Sequence, residues 1–367
     1  MDEQQEKAVL QKVLNLPCSN CGGKLAYSAK EKQIICGHCG NIEPIDAASD
    51  RVVEHDFQKA LTDLNYHTPE KDDQKVFDCQ SCGSKFMVNN SQVKVQCGFC
   101  GSNNVNLEAF EHSYIEPMGI IPFKVPKEQS SKLFNDWIKK GWFRPNKLKR
   151  LAEMDSLHGI YIPFWTYDAQ TESSYSGEAG YREQVSKTIR VNGEYQNKRV
   201  TETRWVHRSG HLSHFFDDVL VVASTGVQQK LMQSIEPFDL REVINYDPRL
   251  MLGWEAEVYS LELDEGYKIA DKIMDKRLKD LCKAEIGGDT QRHVRVNSQK
   301  FYQTFKMIML PIWISSYRYQ NKIYQFSVNG QTGKVNGKKP TSWIKVASLV
   351  LFFVLIIVAI VLIKKYK

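Results

Sequence analysis

Eight of the nine cysteines fall into two identical frames, and this repeat constrains the fold more than any other feature of the sequence. The first frame is Cys18, Cys21, Cys36 and Cys39, and the second is Cys79, Cys82, Cys97 and Cys100. Two C-x2-C pairs on a short hairpin can place four thiolates tetrahedrally around one Zn²⁺. A glycine follows the second cysteine of each pair, where it lets the backbone turn back on the metal. The sequence therefore predicts two zinc ribbons, with Zn²⁺ as the cofactor and two ions per chain.

The chemistry of these frames favours structural zinc over the alternatives. Catalytic zinc keeps an open coordination position, which four cysteines close. A disulfide framework is typical of small secreted domains, but Met1–Gln11 is too charged for a signal peptide. Because each short ribbon lacks a core of its own, we expect zinc to supply its folding free energy. Thiolate ligands also place the N-terminal side in a reducing compartment.

One apolar segment near the C-terminus predicts a membrane span. The run from Val346 to Ile363 has no charged residue and only Ser348 as a polar one. As a helix it would measure about 27 Å, close to the hydrocarbon thickness of a bilayer. Interfacial aromatic residues and terminal lysines flank it. A buried core helix would carry polar residues at intervals, and this run lacks them.

Charge and topology narrow the function classes. Seven lysines and no acid lie between Lys334 and Lys367, so the net charge of +6 becomes −1 for residues 1–333. A body with this balance argues against general nucleic-acid binding. One C-terminal span and a zinc-binding head in a reducing compartment predict a single-pass protein of the cell membrane, with its N-terminal domains cytoplasmic.

The chain divides into five predicted segments, and the predicted fold class is α+β with a mainly antiparallel β body and helices. The segments are an N-terminal helix and the first ribbon (1–45), an acidic linker with a short helix (46–75), the second ribbon (76–110), the body (111–333) and the transmembrane helix (344–363). Within the body, apolar spacing predicts helices over 127–142 and 265–285, the second with Cys282 as a core thiol. The dipeptides Asn192-Gly193 and Gln320-Asn321 predict hairpin turns.

A weak internal repeat, which we call the proline–aromatic repeat, lies within the body. The segments 162–165 (IPFW) and 310–313 (LPIW) each place a proline at a strand entry and then aromatic residues, and 121–123 (IPF) is a weaker copy. We interpret this repeat as a packing feature, with its aromatic residues anchoring strands in one core.

Motifs for catalysis are weak throughout the sequence. The segment 330–334 (GQTGK) lacks the spacing and the final hydroxyl residue of a phosphate-binding loop, and it predicts a hairpin turn instead. A metal site built from histidines is a second hypothesis, but its spacing fits no known template. The residues of that hypothesis are His207, His211, His214, Asp217 and Asp218. We therefore expect that the chain is not an enzyme.

Several segments carry a resemblance to a known family. They are the twin ribbons, 216–221 (FDDVLV), 253–259 (GWEAEVY), 310–313 (LPIW) and 324–334 (YQFSVNGQTGK). Together they resemble the bacterial TFIIB-type zinc-ribbon membrane proteins, the YdjG-like group, which are often labelled primosomal helicase-like. The resemblance implies association with flotillin-like (SPFH) proteins and the PspA system in envelope stress. No Walker motif supports the helicase label.

Two functions compete on this evidence. The first is a membrane-anchored adaptor that recruits a flotillin-like (SPFH) or PspA-type partner to the cytoplasmic membrane, with a second membrane protein of similar build as a further candidate partner. The second is a membrane-tethered nucleic-acid-binding protein, helicase-associated or regulatory. Phosphate binding needs a basic stripe, whereas each zinc with four thiolates contributes −2, so we favour the adaptor. Phe99 is open to two interpretations, as a docking aromatic or as packing under the second hairpin.

Overall fold

The computed structural model describes residues 17–45, 52–62, 75–81, 83–88, 97, 105–109, 115–139, 157–191, 194–227, 229–319, 322–337 and 342–365. Several predicted features lie outside these residues. They are the N-terminal helix, Cys82, Phe99, Cys100, the Asn192-Gly193 turn and the Gln320-Asn321 turn. Within the described residues the chain is a mixed α+β protein with mainly antiparallel sheets, as the sequence predicts.

The described strands form two sheets. The first sheet has the order β1-β2-β3 and consists of Leu25–Ser28, Gln33–Cys36 and Ile42–Glu43. The second sheet contains twelve described strands. They are β4 (His55–Asp56), β5 (Lys75–Cys79), β6 (Lys85–Val88), β7 (Val105–Ala109), β8 (Gly119–Ile120), β9 (His158–Val191), β10 (Glu194–Val222), β11 (Ile244–Asn245), β12 (Glu255–Val258), β13 (Thr290–Tyr319), β14 (Lys322–Asn329) and β15 (Val335–Gly337).

Three long strands form the spine of the second sheet. Strand β9 has 34 residues, β10 has 29 and β13 has 30. Strand β9 lies between the other two and is antiparallel to both. Both predicted hairpins are present as strand pairs, β9 with β10 and β13 with β14. Strands β9 and β10 are much longer than the local sequence pattern indicates. Strand β10 bulges between Phe216 and Val219, which turns the chain at that point.

Helices cover parts of this sheet. They are α1 (Phe57–Thr62), α2 (Lys127–Lys139), α3 (Gln229–Ile235) and α4 (Leu263–Ile286). A fifth helix, α5 (Trp343–Lys365), has an apolar stretch that is entirely unburied. Helix α4 contains the predicted 265–285 helix and buries Cys282 completely, so the core-thiol prediction is confirmed. Gly266 lets α4 approach the sheet, because a Cβ atom there would lie 2.4 Å from the Tyr167 hydroxyl.

The copies of the proline–aromatic repeat lie on or beside neighbouring strands of the second sheet. Leu310 pairs with Ile162 across β13 and β9, and Met309 pairs with Pro163. The weaker copy follows β8, whose Ile120 pairs with Met309. The aromatic residues of all three copies are buried. Interpreting this repeat as packing is therefore confirmed. The expectation of one core is wrong, because Phe123 and Trp313 lie in one buried cluster, Phe164 in a second and Trp165 in a third.

The segment 330–334 forms a turn, as predicted. It joins β14 to β15, which pair antiparallel through Val328 and Val335. The turn closes with a backbone hydrogen bond of 2.9 Å from Gly333 N to the Asn329 carbonyl oxygen, and Gly333 has a positive φ of 76°. No phosphate-binding loop is needed to explain these residues.

Candidate metal centre

The first cysteine frame converges on one point. The four sulfur atoms of Cys18, Cys21, Cys36 and Cys39 all lie within 4.8 Å of one another. The Sγ atoms of Cys18 and Cys39 are 3.6 Å apart, and those of Cys21 and Cys36 are 3.5 Å apart. A tetrahedron with Zn–S bonds of about 2.3 Å has edges of about 3.8 Å. The donor set and its spacing therefore fit zinc.

Backbone groups of the first frame are arranged to stabilise thiolates. Asn20 N donates to Cys18 Sγ at 3.4 Å, and Gly23 N donates to Cys21 Sγ at the same distance. Backbone N–H groups of Cys39 and His38 donate to Cys36 and lower the pKa of its thiol to about 6. Because the thiolate is the form that ligates metal, these donors favour the binding state.

The first frame is built into the body rather than tethered to it. Cys18 and Cys36 belong to the same buried cluster as Tyr161 and Trp313. Tyr27 provides the main junction, since its N–H donates to the Leu252 carbonyl oxygen at 2.9 Å. The Tyr27 carbonyl oxygen in turn accepts a hydrogen bond from Trp254 Nε1 at 3.0 Å.

A stack of aromatic rings continues this junction into the core. The rings of Trp254 and Phe123 stack with centroids 3.9 Å apart, and Trp313 meets both edge-on. Gly159 makes room for this stack, because a Cβ atom there would lie 2.3 Å from the Trp254 ring. The position of the first frame is therefore fixed by the body's own core.

The second frame is described in part. Cys79 and Cys97 are both buried and belong to one core cluster, whereas Cys82 and Cys100 lie outside the described residues. A second four-cysteine cluster is not shown among the described residues. Strand β6 of this frame pairs with β12 of the body.

The backbone of the second frame repeats that of the first. Cys18 N donates to Gly23 O at 2.8 Å, and Cys79 N donates to Ser84 O at 3.0 Å. A second bond of 2.9 Å joins Gly22 N to Cys18 O, and its counterpart of 2.7 Å joins Gly83 N to Cys79 O. The bridge between Pro17 and Lys24 recurs as the pair Asp78 and Lys85. The sequence offset between the frames is thus kept in three dimensions.

A cluster of carboxylates lies where β9, the bulge of β10 and β13 meet, and the sequence did not reveal it. Carboxylate oxygens of Glu54, Asp168 and Asp218 lie within 4.8 Å of one another. The Lys306 ammonium lies among them, 2.6 Å from Asp218 Oδ1 and paired with Glu54. Burial raises the pKa of Glu54 and of Asp168. A protein cation already occupies the place that a metal ion would take, so we interpret the cluster as structural.

The histidine hypothesis is not supported by the fold. His207, His211 and His214 lie on β10, where side chains alternate between faces. His207 and His211 share one face but are four residues apart, about 13 Å along the strand, and His214 is on the other face. Asp218 joins the carboxylate cluster instead.

Helix α5 differs from the other described helices in having no core contact. Its residues Trp343–Lys364 form a helix that is long and apolar enough to cross a membrane, and the apolar window is entirely unburied. At 1.5 Å per residue these 22 residues measure about 33 Å. The predicted span thus corresponds to one C-terminal apolar helix.

Fold and site define a protein with an N-terminal four-cysteine centre, a mainly antiparallel α+β body and one C-terminal apolar helix. A protein of Bacillus subtilis (strain 168), described as "Uncharacterized protein YdjG", is 25% identical over 342 residues. The match covers 92% of this chain and 93% of the relative, so it is distant homology over nearly the full length of both. No protein-family model matches the chain. No solved structure matches it either.

Proposed function

We propose that this chain is a membrane-anchored zinc-ribbon adaptor, which recruits a flotillin-like (SPFH) or PspA-type partner to the cytoplasmic membrane in envelope stress. The observation that carries the proposal is the unburied apolar helix α5 attached to a body with its own cores. A single anchor raises the local concentration of whatever the body binds. The distant likeness to the B. subtilis protein supports membership of the YdjG-like group, and that group implies the partners.

We propose a second zinc ion, bound by Cys79, Cys82, Cys97 and Cys100. The support is the repeated backbone geometry around Cys79 and the burial of Cys79 and Cys97 in one cluster. Each zinc would neutralise thiolate charge inside a hairpin that has little core of its own. No enzymatic step belongs to this proposal.

The proposed orientation places both frames in the cytoplasm. Thiolates that ligate zinc need reducing conditions, and the first frame is fixed to the body through Tyr27 and Trp254. The body and the frames therefore lie on one side of the membrane. Helix α5 is the segment that would cross it, as a single pass through the cell membrane.

A pull-down from membranes in mild detergent tests the adaptor proposal. The tagged full chain is purified, and the bound proteins are identified by mass spectrometry. We expect a flotillin-like or PspA-type protein among the specific partners. The matched control is a chain that ends at residue 340, tested by fractionation, which we expect in the soluble fraction because it lacks α5.

Other results would count against the proposal. Salt-sensitive recovery of nucleic acid with no protein partner would favour the nucleic-acid-binding alternative. A chain ending at residue 340 that stays in the membrane fraction would show that the body has its own lipid contact. Lysines near residues 334–345 would be the first candidates for that contact.

A further inference from the structure

The end of the β9–β10 pair projects beyond the rest of the sheet. Strand β13 stops pairing with β9 at Gly180, opposite Thr290. From that point β9 and β10 pair only with each other among the described residues, up to Val191 and Glu194. We call residues 182–191 and 194–204 the distal hairpin.

Polar contacts join the two strands of the distal hairpin, and none of its described side chains is buried. Arg204 Nε lies 2.6 Å from Glu183 Oε1, and Lys187 pairs with Glu202. Thr188 Oγ1 donates to Asn197 Oδ1 at 2.7 Å. An isolated two-stranded hairpin is marginally stable in water. Burial of the described side chains does not explain why this hairpin extends beyond the sheet, which points to a role in contact with another molecule.

Charge distinguishes the distal hairpin from the rest of the head. It contains six basic and three acidic residues, a net charge of +3, whereas residues 1–333 as a whole carry −1. Arg182, Lys198 and Arg199 are exposed and form no ion pair among those described. Tyr195, near the turn, is 76% exposed. This surface complements an acidic one.

The distal hairpin lies at the far end of the sheet from the start of helix α5. Strand β15 ends at Gly337, which pairs with Phe326, and Phe326 pairs with Ser315. The neighbouring residue Ile314 pairs with His158, the first residue of β9. Val191 is therefore separated from that end by nearly the whole of β9, about 100 Å along the strand. The hairpin reaches away from the place where the chain would enter a bilayer.

We propose that the distal hairpin is the docking surface for the acidic face of a soluble partner protein. The inference rests on the proposed adaptor function and names the surface that would perform it. Three glutamates lie among the six cations, so the hairpin lacks the continuous basic stripe that binding of nucleic-acid phosphates uses. Protein interfaces commonly use such mixed complementarity to set specificity and association rate.

The test uses the full chain in lipid nanodiscs and labelled poly-L-glutamate as a probe of acidic polypeptide. The variant is Arg182→Glu/Lys198→Glu/Arg199→Glu. The matched control changes three exposed lysines of α4 by the same charge and is Lys272→Glu/Lys276→Glu/Lys279→Glu. We expect the hairpin variant to bind the probe about tenfold more weakly and the control to change it less than about twofold, with unchanged thermal melting.

The outcomes separate the docking site from the adaptor function. Equal losses in both variants, no loss in the hairpin variant, or tighter binding of duplex DNA than of poly-L-glutamate would each overturn the proposal. A soluble partner protein that co-purifies equally with wild type and the hairpin variant would overturn it while leaving recruitment intact. If wild type recovers no partner, recruitment fails, and the probe measurement still decides the hairpin.

Discussion

Replacing Lys306 by methionine would test how the body is held together around its bulged strand. The ammonium of Lys306 is the cation among Glu54, Asp168 and Asp218, and its side chain is only 10% exposed. Glu54 belongs to the segment between the two frames, whose strand β4 pairs with β13 beside the cluster. The ion pair between Glu54 and Lys306 therefore connects the segment between the two frames to the sheet. Methionine keeps the length of the side chain and removes its charge.

The structure sets the expected magnitude. Removing one partner of a buried pair costs about 3–5 kcal/mol. The Asp218 side chain is 18% exposed and that of Glu54 is 31% exposed, so we expect the lower end, about 3 kcal/mol at pH 7.5. Burial already raises the pKa of Glu54 and of Asp168, so the folded state favours their protonated forms. The destabilisation should therefore shrink as the pH falls.

Urea unfolding of the full chain in mild detergent, followed by tryptophan fluorescence, measures this effect. Lys124→Met is the matched control, because Lys124 forms a more exposed pair with Glu242 and should cost less than about 1 kcal/mol. Adding Glu54→Gln to Lys306→Met should recover part of the loss. Stability within about 0.5 kcal/mol of wild type at pH 7.5, or a loss that grows on acidification, would refute the reasoning.

Three further predictions follow from the frames and the body. Elemental mass spectrometry should find about two zinc ions per chain, and about one in Cys36→Ser or in Cys97→Ser; wild type with one zinc would remove the second site. Burial raises the pKa of Glu236 to about 7, so the folded state holds this proton more tightly than the unfolded state does. The free energy of unfolding that this proton contributes is lost as the pH rises through 7. Glu236→Gln should therefore stabilise the protein by about 1–2 kcal/mol at pH 8.5 and by almost nothing at pH 5, allowing for partial exposure; a pH-independent effect in urea unfolding would contradict this. Gly226→Ala would place a Cβ atom 1.9 Å from Ser84 Oγ, where the second frame meets the body. It should lower stability by about 1–3 kcal/mol, and an unchanged melting temperature would exclude this contact.

The features predicted from sequence were those encoded locally or by repetition. The offset between the cysteine frames reappears in paired backbone hydrogen bonds at Cys18 and Cys79. Apolar spacing identified α4 to within two residues at each end, because its buried face is continuous in sequence. The proline–aromatic repeat around Pro163 and Pro311 correctly indicated packing, since the two segments pair with each other and are buried, although their aromatic residues enter different clusters.

Features that depend on distant residues were not predictable in the same way. The carboxylate cluster joins Glu54, Asp168, Asp218 and Lys306, and no local pattern relates them. The acidic pair at 217–218 is close to histidines in sequence, but Asp218 lies in the bulge of β10 and joins the carboxylate cluster. The length of β9 also exceeded expectation, because its polar outer half alternates too weakly to distinguish a strand from a loop.

The central claim is that this chain holds a partner protein at the membrane through helix α5. The most direct measurement is the fraction of the flotillin-like or PspA-type partner that sediments with membranes during envelope stress. It should be compared between cells that carry the full chain and cells that carry the chain ending at residue 340. The adaptor account predicts that the partner moves to the soluble fraction, together with the truncated chain. A partner that stays equally membrane-bound in both strains would contradict it.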